Sequence, residues 1–158
     1  MQRRHFSTIS AGVTALAVLP YLRAAAASSP EVTVYKDPSC GCCGAWIDHL
    51  RAAGFPADGI DRTDLQAIKA RLGVPATLAS CHTAEVGGYV VEGHVPADAI
   101  MRLLAERPAA RGIAVPGMPI GSPGMEVPGM APDTYAVVLF GGPQGETTFA
   151  RYRGNQPI

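Results

Sequence analysis

An α/β sandwich is the fold class that the sequence predicts, and three observations predict it. Segments of strand and helix character alternate as β-α-β-α-β-β-α between residues 31 and 107. Gly87-Gly88 separates two β-branched runs, as in a tight hairpin. A Cys-x-x-Cys spacing, Cys40 to Cys43, falls between the first strand and the first helix.

Each element follows from local chemistry. Residues 31–36 alternate around Val32, Thr33 and Val34, which predicts a strand that Asp37-Pro38-Ser39 stops. Residues 40–44 read as a tight loop. Trp46, Ile47 and Leu50 then recur at helical spacing over residues 45–53, with Gly54 as the terminator. Residues 55–60 predict a weak strand, and Pro56 places it at a sheet edge. Asp64 opens a second helix, with Leu65, Ile68 and Leu72 on one face and Gly73 closing it. Residues 83–86 and 89–92 form the hairpin. Pro96 starts a third helix, reaching residue 107, that turns Ile100, Leu103 and Leu104 inward. Residues 108–134 hold six prolines and no periodicity, which predicts a long functional loop. Residues 135–140 and 146–153 flank a Gly-rich turn and predict a closing C-terminal β-hairpin. With the Cys-x-x-Cys pair ahead of the first helix, this order is the thioredoxin-like plan.

Composition narrows the function. The 158 residues balance 13 Lys+Arg against 13 Asp+Glu, so no basic face for nucleic acid is expected. The balance is uneven along the chain. Residues 1–27 lack any acidic residue, start with Arg3-Arg4, continue through an apolar run from Ile9 to Leu19, and end in Arg23 and four alanines. This predicts a secretory signal peptide of twin-arginine type, ahead of a mature domain at residues 28–158. An ordinary secretory leader and a retained anchor are the competing readings. Loss of Arg3, Arg4 and Arg23 with the leader leaves 10 basic against 13 acidic residues, a net charge of −3. The expected location is the periplasm, with no stable membrane insertion after cleavage. In an oxidising compartment the four cysteines are paired, metal-bound or catalytic.

Thiolates at a helix N-terminus serve both disulfide exchange and soft-metal ligation. Cys42, between Cys40 and Cys43, would compete in mixed disulfides and argues against a simple exchange site. Three thiols in one loop with Cys81 from elsewhere favour a metal cage, around which Gly41 and Gly44 would let the backbone fold. Redox exchange and two structural disulfides remain the other readings. Zinc accepts such ligands, but Met118, Met125 and Met130, each after a glycine in the Pro-rich segment, bring thioethers that select Cu(I). His94, ahead of the third helix, is a second-tier ligand candidate with Met118 and Met125. His82 is balanced between ligand and packing, because consecutive side chains in a strand point apart. His49 reads as solvated or partly packed, and Trp46 as core. No Ser/His/Asp set, phosphate loop or dinucleotide fingerprint is present.

Four motifs in order carry a family resemblance: residues 35–43 (YKDPSCGCC), 80–84 (SCHTA), 88–96 (GYVVEGHVP) and 115–126 (VPGMPIGSPGME). Together they resemble a bacterial metal-binding family associated with periplasmic copper resistance under the name CopG. The resemblance implies a thioredoxin-like fold, copper as the metal, and a site at Cys40, Cys42, Cys43 and Cys81. It also implies that the Met loop belongs to the same surface. The expected function is copper handling in the periplasm: Cu(I) held by thiolates for sequestration, transfer to copper-handling partners, or redox interconversion. A thiol–disulfide oxidoreductase using Cys40 and Cys43 is the alternative, and zinc the alternative metal.

Overall fold

The computed structural model describes residues 29–158, so the expected signal peptide at 1–27 lies outside the described residues. The chain runs β1 (Val32–Lys36), α1 (Gly41–Ala52), β2 (Ala57–Asp61), α2 (Leu65–Leu72), a 3-10 turn at Ala76–Leu78, β3 (His82–Val86) and β4 (Tyr89–Glu92). It continues through α3 (Ala97–Glu106), β5 (Gly112–Ala114), β6 (Thr134–Gly142), β7 (Gly145–Arg153) and β8 (Gln156–Pro157). One mixed sheet takes the order β2-β1-β3-β4-β5-β6-β7-β8. Strand β1 pairs parallel with β2 and antiparallel with β3, which pairs antiparallel with β4. Strand β5 adds parallel to β4, and β6 to β8 follow antiparallel.

The period of two along the strands divides the core between the two sheet faces. Val32, Val34, Ala84, Val86, Val91, Ile113 and Val137 share one cluster with Trp46, Ile47 and Leu50 of α1 and with Ile100 and Leu103 of α3. Their neighbours Val90, Ala114 and Phe140 share the other cluster with Ile68 and Leu72 of α2. Each fully buried Leu or Ile here contributes about 1.5–3 kcal/mol relative to exposure. Helices therefore cover both faces, as the sandwich expectation requires. Among the described residues, no helix is long and apolar enough to cross a membrane.

Three expectations need correction. Helix α1 starts at Gly41 rather than residue 45, so the cysteine segment is helical and not a loop. The Asp37 side chain accepts the Ser39 N–H at 2.8 Å and the Asp37 carbonyl accepts the Cys40 N–H at 3.0 Å. This turn feeds the chain straight into the helix, and glycine is tolerated there. Nothing lies within 4 Å of a Cβ added at Gly41 or Gly44, so neither serves a tight wrap. The segment 108–134 is not wholly loop, because β5 lies inside it, joining the C-terminal strands to the first four. The last hairpin is longer than residues 135–140 and 146–153, and β8 follows it. Strand β2 is the expected edge, four of its five residues being exposed, and the two-residue β8 with Pro157 forms the other.

Candidate metal centre

Cys40 holds the N-cap position of α1 in extended backbone, and Cys42 and Cys43 occupy the first turn. A disulfide joins Cys40 to Cys43, while Cys42 and Cys81 are free, half-buried thiols. The Cys42 sulfur lies 3.5 Å from that of Cys40 and 4.0 Å from that of Cys81. All four sulfur atoms fall within 4.8 Å of one another. The four-thiol set foreseen from the sequence is thus assembled in space, and two-electron reduction of the disulfide would free all of it.

A second ligating group shares one member with the first. Cys81, His82 and His94 also lie within 4.8 Å of one another. The Cys81 sulfur is 3.2 Å from His82 Nδ1 and 3.1 Å from His94 Nε2. Cys81 precedes β3 in a bend, so the outward alternation of strand side chains does not apply to this pair. That is why sequence spacing alone undervalued His82. His94 Nδ1 donates to the Pro123 carbonyl at 2.8 Å, which leaves Nε2 with its lone pair facing the thiol. His82 is fully buried, its ring 4.3 Å from that of Trp46 and 4.9 Å from that of His94, and its Nε2 has no hydrogen-bond partner among the described residues. Trp46 is core, as expected, and its indole N–H donates to the Val95 carbonyl at 2.9 Å.

Burial sets the electrostatics. It pushes the Cys81 thiol up to about 12, helped by the neighbouring Cys42. Burial also drives His82 well below its ordinary 6.5, with the positive charges of His94 and Lys69 acting the same way. His94 and His49 are lowered by burial too, against the opposing pull of Glu126. His49 is half-buried, and its Nε2 accepts the Ala97 N–H at 3.2 Å. These three imidazoles hold protons less readily in the folded, metal-free chain than in the unfolded one, where they titrate near 6.5. Their stability contribution is complete above 6.5 and falls as the pH drops below it. Urea unfolding of metal-free protein is therefore expected to show a lower midpoint at about pH 5.5 than at about pH 7.5. Equal midpoints would contradict this.

The Met loop is held against the site at several points, His94 Nδ1 on the Pro123 carbonyl among them. The Ser80 hydroxyl donates to the Gly117 carbonyl, beside Met118. Gly124, at φ +83°, abuts α1: a Cβ there would lie 2.8 Å from Trp46 N and 2.9 Å from Cys42 O. Gly93, at φ +74°, allows an equally close approach to the Val115 carbonyl and Ser80 just before His94. Met125 is half-buried beside Gly124, whereas Met118 and Met130 are exposed. Sequence reasoning missed a buried ion pair, Lys69 with Glu92, whose carboxylate also accepts the N–H of Ser80, the residue before Cys81. Only the Lys69 half carried a signal: Lys69 follows Ile68 and lies four residues after Leu65, on the apolar side of α2.

The donors fit a soft metal, since thiols and imidazole lone pairs face one another across a few ångströms. The fold and the site define a mixed α/β domain whose cysteine and histidine cluster is fit to ligate a metal. A family described as "Protein of unknown function, DUF411" matches residues 78–125. Two solved structures, "Copper resistance protein copG- Form 1" and "Form 2", are each 46% identical with a TM-score of 0.73. They cover 80% and 78% of this chain and 99% and 98% of their own. No curated protein matches. The chain belongs to the CopG-like copper-resistance family.

Proposed function

We propose that this protein is a periplasmic copper handler that holds Cu(I) in its cysteine cluster for sequestration, transfer or redox interconversion. One observation carries the reading: two ligating groups, four cysteines and a Cys-His-His set, meet at the shared Cys81 sulfur. Cys40, Cys42, Cys43 and Cys81 are the proposed ligands, with His94, Met118 and Met125 as second-tier ones. Thiolate sulfurs bridge Cu(I) readily, so the shared sulfur suits more than one ion. The twin-arginine-like leader at 1–27 would export the domain at 28–158, where its partners are other copper-handling proteins and not nucleic acid. The order β2-β1-β3-β4, with the cysteine pair opening α1, supports a thioredoxin-like plan for the first half.

Metal analysis of protein purified anaerobically from the periplasm tests this. Copper in the cluster is expected, with an apparent affinity that rises about tenfold per pH unit for each thiol proton displaced. Zinc without copper, or no metal and two disulfides, would refute it. The Cys40–Cys43 disulfide beside the free Cys42 favours one second reading, a thiol–disulfide oxidoreductase. Insulin reduction by the metal-free protein, untouched by Cys42→Ser, would favour that reading over copper.

A further inference from the structure

We propose that Glu92, braced by Lys69 and Thr83, is a positioning residue that sets the spacing between Cys81 and His94. Glu92 ends β4 and is fully buried, and Lys69 on α2 is only 4% exposed. Three donors meet the Glu92 carboxylate. The Ser80 backbone N–H reaches Oε1 at 2.6 Å and Lys69 Nζ reaches the same oxygen at 2.5 Å. The Thr83 hydroxyl, on the residue directly opposite in the β3–β4 register, donates to Oε2 at 2.6 Å and accepts from Lys69 Nζ at 2.8 Å. The Lys69–Thr83–Glu92 ring is closed, and the fourth member, Ser80, is the residue before Cys81.

The placement gives the ring its consequence. Glu92 stands two residues before His94 and grips the residue before Cys81, so one carboxylate joins the two segments that carry the facing atoms. The Gly93 N–H closes the same gap from the other side by donating to the His82 carbonyl at 3.0 Å. The result is the 3.1 Å approach of the Cys81 sulfur to His94 Nε2. Stability alone is a weak reason to carry such a pair, since desolvating both ions is costly and apolar residues of similar size commonly do as well. Outer hydrogen bonds that orient ligands are a stronger one.

This inference rests on the reading that Cys81 and His94 ligate copper, and its test separates the two. Lys69→Met/Glu92→Gln keeps a carbonyl oxygen for the Ser80 N–H, whereas Lys69→Met/Glu92→Leu removes it. The Leu variant should alkylate faster at Cys81 in metal-free, reduced protein and bind Cu(I) about 10- to 100-fold more weakly against a chromogenic chelator. The Gln variant should stay close to wild type in both. A Leu variant indistinguishable from wild type, or a Gln variant as impaired as the Leu one, overturns the proposal. If the Leu variant does not fold, amide exchange of Ser80 in wild type decides. Slow exchange supports the bond to Glu92, and exchange at the rate of a free amide overturns it. If wild type itself binds no Cu(I), the proposed function falls, while the alkylation comparison still judges the positioning of Cys81.

Discussion

Cys81→Ser should cost more copper affinity than any other single substitution, beyond the roughly 100-fold upper range seen when partners outside the ligand shell are lost. The reason is topological. The Cys81 sulfur is the one atom common to the four-cysteine group and the Cys81–His82–His94 group. Losing Cys40 or Cys43 damages one group, but losing Cys81 damages both. The folded chain should notice little, because Cys81 is half-buried in a bend and serine is close in size. Competition with a Cu(I) chelator, alongside thermal unfolding of the metal-free variant, separates the two effects. Retained affinity, or a melting loss that accounts for the lost binding, would count against Cys81 as the shared ligand.

The second large effect is expected from Gly124→Ala, this time on stability. Alanine at φ +83° carries about 1–3 kcal/mol of backbone strain. Its Cβ would also press on Trp46 N and Cys42 O, main-chain atoms of α1 that have no rotamer to escape into. Together these should cost about 2–4 kcal/mol and lower the melting temperature by roughly 5–15 °C. The same change pushes the loop off the cysteine helix and withdraws the Pro123 carbonyl that orients His94. Copper capture should therefore weaken as well. Met118→Leu/Met125→Leu provides the contrast: it keeps the loop docked, and slower copper transfer at an unchanged melting temperature is expected. An undiminished melting temperature in Gly124→Ala would remove the docking contact from the account.

Much of the framework was legible because its signals are local. The Leu65, Ile68 and Leu72 stripe, the Gly87-Gly88 turn and the Pro56 edge each report on a few adjacent residues, and the structure follows them. What escaped depends on distant pairing. Strand β5 has three residues and no readable period, and it exists because β4 and β6 flank it. The site divides along the same line. The four cysteines were visible as residue types, but the His82 ring meets the Cys81 sulfur only because the backbone bends before β3. The pairing of Lys69 on α2 with Glu92 on β4 spans 23 positions, which no short window shows.

The two margins of the sheet bear on how the protein behaves in a crowded compartment. An open β-margin is a template on which another chain can add, and natural proteins blunt it with charge, proline or brevity. Here one margin carries Asp58 and Asp61 on an exposed strand, and the other ends in two residues, one of them Pro157. Neither offers a long apolar row for strand-by-strand growth. Addition of another chain's strand would have to overcome carboxylate charge at one margin and a missing proline N–H at the other.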